Sequence, residues 1–593
     1  MSDDALALFG TAERPPEPVH HTVGRTAFEW LDGGLHAIRR DGVEVVRAVT
    51  FPVRDRDWGT LAPALSEVRR EERPEGPRLH WSATYRDGGS TLRVDMTLEV
   101  TADTLLVHGR GRADGAFETN RAGFTVLHPA AAAGCPVSVE HADGSREDGR
   151  FPVLIDPWQP FVDIRALSHV QGGIRTECRL AGDTFEMEDQ RQWSDASFKT
   201  YNRPLAEPWP YVLADGETVE QSVTLRFSGA ATRATRDGIR VRVGLPTGTT
   251  VPELALVLTP AEARDALRAP GALRAIAPGR LTAHADPATG DVDLAPFAEL
   301  AACLGAAIDL DYAALGDGDP DEEFAALAEA VRAAGLTPAS LLVCPSVDRR
   351  SVPPGSDRPD CPPLAELYAS AGRAFPDTPI GGGMLSYFPE FNRKRPPLDG
   401  LDFVAHGTNP IVHAADDRSV VQTLAALPWI LRSGKAIAGE TPYRLGLSCI
   451  PMRQNPYGSR TLDNPDGRRL CMAATDPRHH ARFGAAFALG YLAAVAPFGL
   501  LAWTPAAGAG PRGVDVDGEL SPLGRLLAEL APAAGRPVRA VRVDDPERCA
   551  ALAAGDALWL ANLTDGTLPV RLDGGRTIAL APYETRRASP DQS

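Results

Sequence analysis

Two glutamates in this sequence each stand just beyond a short apolar run, in the company of aromatic and guanidinium groups. Glu390 lies in SYFPEFNR (386–393) with Tyr387, Asn392 and Arg393, and Glu440 lies in GETPYR (439–444) with Tyr443 and Arg444. Two carboxylates facing one cavity can hold different protonation states, because mutual repulsion and unequal burial drive their pKa values apart. One can then act as general base and the other as general acid. A third stretch, HGTNPIVHAADD (406–417), adds His406, Asn409 and His413. Histidine titrates near neutrality and can deprotonate or orient a water. These residue types make Glu390, Glu440 and His413 the candidate catalytic groups. Asn392, Arg393, His406, Asn409, Tyr443 and Arg444 are the candidate substrate contacts. His406, His413 and Asp416 match no well-defined zinc spacing, so a divalent metal is conceivable there but not indicated, and no cofactor is expected.

A second concentration of unusual residues is FEMEDQRQWSDASFKTYNRPL (185–205). No strand or helix needs so many mixed charges and aromatics together. A sugar site does, since rings pack on aromatic faces while hydroxyls pair with charged groups. Glu188, Trp193 and Lys199 join the substrate contacts on that argument. The competing reading is a salt-bridged surface docking one domain on another.

Such side chains need a scaffold to aim them. From residue 26 to 227 the signal is β: short alternating runs such as LRVDMTLEV (92–100) and 104–110, read as a hairpin, separated by turn clusters. From Gly238 short apolar runs alternate with helical patterns, the rhythm of parallel βα units. Strands are expected at 239–245, 281–285, 306–312, 341–344, 380–388, 401–406, 436–439 and 500–503. Helices are expected at 260–267, 294–304, 321–334, 364–374, 417–432, 477–495 and 522–530. Thr259-Pro260 with Glu262, and Asp416 or Asp417, supply helix starts. Eight such units match a closed barrel, and no G-x-G-x-x-G follows the first strand. The expected fold is therefore multidomain α/β plus β: an antiparallel β-sandwich over 1–235, a (β/α)₈ TIM-type barrel over 236–533, and a small β domain over 534–593. Barrel chemistry sits at the carboxyl ends of the strands, which also brings His284, Asp286, Asp309, Asp311, Ser346 and Asp348 into view.

Composition narrows the function classes. At 593 residues several cores are needed. A formal net charge of −17 argues against nucleic-acid and anionic-membrane partners and favours a small, locally recognised ligand. The amino terminus lacks a basic start and an apolar run of secretory length, so a cytoplasmic protein is expected. Eight scattered cysteines without a C-x-x-C pair suit individually buried, reduced thiols. G-x-S-x-G, Walker-type and H-E-x-x-H signatures are all missing, which removes support for serine-hydrolase, nucleotide-dependent and zincin chemistry.

NRAGFTVLHP (120–129), FPVLIDPWQPF (151–161), the 185–205 segment, SYFPEFNRKRPP (386–397) and NPIVHAADDRSVVQTL (409–424) together resemble the D-apionate lactonase family. That resemblance implies a sugar lactonase opening D-apionolactone, or a related aldonolactone, in breakdown of the branched pentose apiose. It brings no catalytic residues with it. Read from the residues alone, two other functions fit. One is a glycoside hydrolase with paired glutamates at strand ends. The other is a non-catalytic carbohydrate-binding protein.

Overall fold

The computed structural model describes residues 2–231, 238–290, 292–352, 357–458 and 460–588. They fall into two compact units, one spanning residues 15–192 and 196–237, the other residues 1–14, 193–195 and 238–593. The first fourteen residues and the short stretch 193–195 thus belong with the barrel, not with the β domain that 1–235 was expected to form. The polar, aperiodic run AATRATRD (230–237), which reads as the boundary between the first two domains, lies outside the described residues from 232 to 237.

The first unit is built on a sixteen-stranded antiparallel sheet. The expected hairpin is there: Ser90–Val100 pairs with Thr104–Asp114 in a register that sets Leu92 against Ala113 and Val100 against Leu105. Period-two alternation sends Leu92, Val94, Met96 and Leu98 inward, into one apolar cluster that runs from Phe28 to Phe227. Within the 185–205 segment, Phe185–Glu188 and Ser197–Tyr201 are neighbouring strands that place Glu188 opposite Lys199 and Glu186 opposite Tyr201.

The second unit holds a closed barrel of eight parallel strands. They are β1 (Glu253–Leu258), β2 (Arg280–Ala285), β3 (Ala307–Ala314), β4 (Ser340–Pro345), β5 (Ile380–Tyr387), β6 (Phe403–Gly407), β7 (Tyr443–Leu447) and β8 (Ala502–Ala507). Each pairs with the next, and β8 pairs back with β1. The helix starts behave as their residues demand. Thr259 and Glu262 form a capping box over Pro260–Arg268, and the Asp416 carboxylate accepts from the Ser419 amide at 2.9 Å. The helix expected over 417–432 is two helices, Asp417–Gln422 and Leu427–Ala438, joined by a short 3₁₀ turn.

Two barrel strands differ from expectation. The 239–245 run is part of Ile239–Thr250, which pairs with Pro537–Val543 and Leu568–Leu572 in the seven-stranded C-terminal sheet. Its alternation of Ile239, Val241 and Val243 with arginines suits a sheet with one wet face. A barrel strand is covered on both faces and reads as a continuous apolar run, which is what ELALVL of β1 does. The barrel domain therefore begins after residue 250, not at 236. The 436–439 run is the last turn of Leu427–Ala438, closed by Gly439 at φ 59°, a backbone conformation that glycine adopts without strain. The seventh strand follows it.

No disulfide joins the cysteines among the described residues. Cys178, Cys344, Cys449 and Cys549 are buried, whereas Cys135, Cys361 and Cys471 are partly exposed and Cys303 is exposed, so burial of every thiol does not hold. Among the described residues no helix is long and apolar enough to cross a membrane.

Candidate active site

Inside the barrel, polar side chains stack in two layers. The lower one joins Arg280, Asp309, Ser340 and Arg444. Asp309 accepts from the Ser340 hydroxyl at 2.6 Å and from the Arg280 guanidinium at 2.9 Å, and Arg444 reaches across from β7 to both Ser340 (2.7 Å) and Asp309 (3.2 Å). That crossing fixes the inward face of β3, and Asp311, two residues on, shares it. His284 on β2 is the register partner of Asp311. Both are partly exposed, at the end of the barrel where the strands finish.

The surroundings of this pair are unusual. Burial pushes the Asp311 carboxyl up to about 7, against the pull of Arg453; the neighbouring Asp309 adds to the rise, and Arg444 opposes it. Burial lowers His284 well below the ordinary histidine value, and Arg453, Arg349 and Arg512 lower it further. His284 is therefore neutral at pH 7, with its Nδ1 unpartnered among the described residues. The arginines are held in place: Arg453 by the Leu385 carbonyl (2.8 Å), Arg349 by Asp286 (2.6 Å) and Arg512 by Glu262 (3.4 Å). Arg349 and Arg512 are thereby paired with carboxylates, whereas Arg453 is held by a neutral carbonyl.

Next to this lies an aromatic wall. Tyr387, at the end of β5, donates to the Gln454 carbonyl at 3.1 Å and approaches Tyr457, whose ring meets Trp193 edge-on at 4.4 Å. Trp193 also meets the His413 ring edge-on at 5.7 Å, and Arg393 lies 5.2 Å over its face. His413 Nδ1 donates to Asp195 at 2.6 Å. A small cavity lined by Leu385, Tyr387, Thr408, Asn409, Cys449 and Arg453 opens between the wall and the arginines.

Family models match all three parts of the chain: the D-apionate lactonase N-terminal domain over residues 6–230, its TIM barrel domain over 254–535, and its C-terminal immunoglobulin-like domain over 546–588. A D-apionate lactonase from Brucella anthropi is 43% identical over 597 residues, covering 98% of each chain. The chain belongs to the D-apionate lactonase family. Likenesses to solved structures are slight. An α-galactosidase from Lactobacillus brevis gives a TM-score of 0.30 at 9% identity (98% of this chain, 96% of that one). A glycoside hydrolase family 44 endoglucanase from Clostridium acetobutylium gives 0.34 at 8% (59% and 98%). Neither bears on fold or chemistry.

A lactonase is a carboxylic ester hydrolase, and several residues expected to serve that chemistry lie elsewhere. Glu440 is exposed in the turn before β7, at the end of the barrel opposite the mouth, because the strand expected ahead of it is a helix. Tyr443 and Arg444 open β7 instead of following it. The Tyr443 hydroxyl donates to His406 Nε2 at 2.6 Å, while His406 Nδ1 donates to the Gly407 carbonyl at 2.7 Å. Burial takes this histidine down to about 4, so it is a neutral structural bridge and not a substrate contact. Glu390 is fully buried, and it accepts from the Ser351 hydroxyl (2.6 Å), the Val352 amide (3.2 Å) and Arg393 (3.1 Å), with Lys394 at 3.2 Å. Sealed from solvent beneath these contacts, Glu390 cannot reach a leaving group and instead holds Arg393 and Lys394 in place. Glu390 and Glu440 do not form the pair that a glycoside hydrolase would need.

Asn409 borders the small cavity, but its amide is spent on the Cys449 and Ile450 carbonyls and on the Ile411 amide. Asn392 is buried in the helix after β5. In the β domain Glu188 and Lys199 are buried and ion-paired to each other. Trp193 and His413 are the expected residues that stand at the mouth, with Arg393 behind them. His284 and Asp311 are two of several polar residues that the expected strand ends bring into view without ranking, and Arg453 follows β7, which begins later in the chain than expected.

Proposed function

We infer that the barrel mouth hydrolyses D-apionolactone to D-apionate with Asp311 as general base. The observation that carries this is the inward position of Asp311 on β3, in register with His284 and within the field of Arg453, where burial pushes its carboxyl up to about 7. A group with that pKa is effective at both taking and returning a proton near neutrality. Ionised Asp311 takes a proton from water as its oxygen adds to the lactone carbonyl. Arg453 stabilises the oxyanion that forms. When the tetrahedral intermediate collapses, the C–O bond to the ring oxygen breaks and Asp311 returns the proton to that oxygen. The acid released loses its own proton to solvent, giving the aldonate. Trp193, Tyr457 and Tyr387 offer apolar faces to the C–H side of the substrate, and His413 offers it a hydrogen-bonding edge.

The test is the pH dependence of lactone opening, with spontaneous opening subtracted. The base must be ionised, so kcat/KM should rise with pH through about 7 and level off above it. A profile flat from pH 5.5 to 8.5 would sink the assignment. The 2.6 Å Asp195–His413 bond favours one other arrangement, with His413 as the base, oriented by Asp195 as in other acid–histidine pairs. In that case His413→Gln, and not a change at Asp311, would remove the pH-dependent limb.

A further inference from the structure

Arg121, in the β domain, is a buried cation without a hydrogen-bonding partner. It is 6% exposed. Its Nε is sealed from water with no acceptor among the described residues. Its carbon centre sits 3.9 Å over the Tyr201 ring and 5.4 Å over Trp58. Cation–π contact stabilises such a group only in part, and a buried charge normally finds an anion.

The nearby carboxylates are otherwise engaged. Glu188 is ion-paired to Lys199, and Glu186 accepts from the Tyr201 hydroxyl and the Leu205 amide. Burial raises the Glu186 carboxyl while the charge of Arg121 pulls it back, so the two attract each other without a hydrogen bond between them. The backbone at Arg121 is fixed from both sides. The Thr119 hydroxyl accepts from its amide at 3.1 Å and lies 2.9 Å from its carbonyl, and the strand Arg121–Ala122 pairs with Val53–Arg54. Trp58 meets the 37%-exposed Trp209 edge-on at 5.3 Å, which leaves indole surface in reach of solvent beside the cation.

We propose that Arg121, between Tyr201 and Trp58, is a carboxylate-binding point for polyhydroxylated acids of the aldonate class. The ligand class rests on the lactonase reading, since lactone opening turns a neutral substrate into an anion that a lone guanidinium can recognise. The site itself does not depend on the mouth. Its carboxylate would take the charge-assisted bonds that Arg121 lacks, and its carbon chain would lie along the indoles.

Calorimetric titration of the full chain with D-apionate tests this, with acetate as a bare carboxylate. Arg453→Met separates any anion held at the barrel mouth. Wild type and Arg453→Met should both bind D-apionate with quenching of tryptophan fluorescence. Arg121→Met should lower that affinity tenfold or more, the effect of losing charge-assisted bonds. Arg121→Lys retains the charge but not the planar fork, and should bind more weakly than wild type even if the methionine variant does not fold. Binding and quenching by the lysine variant equal to wild type would overturn the proposal, as would equal affinity for acetate and D-apionate. Loss of all binding in Arg453→Met would overturn it too, because the anion would then belong to the mouth. If Arg453→Met and Asp311 variants leave lactone opening intact while Arg121 variants lose D-apionate, the mouth reading fails and this one stands.

Discussion

Replacing Asp311 by Asn should lower kcat/KM for lactone opening about 10³-fold, within the range that a positioned acid–base group contributes. Asparagine keeps the size and the inward position on β3, so the barrel register with His284 is undisturbed. It cannot take a proton from water, and it removes the limb of the pH profile near 7. The same substitution should not weaken the fold. A carboxyl raised to about 7 is one whose ionisation the folded state resists. Its charge therefore costs stability progressively as pH rises from the unfolded value, near 4, through 7. Asparagine carries no such charge, so at pH 8 the Tm of the variant should equal or exceed that of wild type. Loss of rate together with an unharmed Tm separates a catalytic role from a structural one. A variant that keeps wild-type kcat/KM would instead turn attention to His413.

How far the sequence revealed this site depended on strand ends. Where a strand lies as expected, its far end carries residues of the proposed site: His284 on β2, Asp311 on β3 and Tyr387 on β5. Where a strand was misplaced, the residues assigned to the mouth came from the wrong end of the barrel. AIAG (436–439) is apolar and short, and period cannot distinguish a helical turn from a buried strand over so few residues. Moving β7 to Tyr443–Leu447 transfers Glu440 to the far side and brings Arg453 and Tyr457 to the mouth. The choice among correctly placed candidates was illegible for another reason. Asp309 and Asp311 lie two residues apart on one face, yet one is saturated by arginine and serine and the other is held near neutrality by burial. Partners distant in sequence create that difference, and no local pattern records them. The Asp195–His413 contact spans 218 positions in the same way.

The two glutamates of SYFPEFNR and GETPYR have opposite expected fates. Glu390→Gln should destabilise the protein by about 3 kcal/mol, the scale of breaking a buried ion pair by removing one partner. The Ser351 hydroxyl, the Val352 amide, Arg393 and Lys394 all converge on its carboxyl oxygens, and a neutral amide gives the two cations no counter-charge there. Lys394 keeps Asp348 at 2.7 Å, which also receives Arg358 at 3.0 Å, so the network loosens without collapsing. Arg393 would lose its tether while lying over Trp193, so KM for the lactone should rise more than kcat falls. Glu440→Gln, in an exposed turn, should change Tm and kcat/KM by no more than the small amounts typical of surface positions. Thermal melts and initial rates on the two variants side by side check both. Equal tenfold losses of kcat, with Tm unchanged in each, would restore the paired-carboxylate chemistry that the positions of these residues exclude.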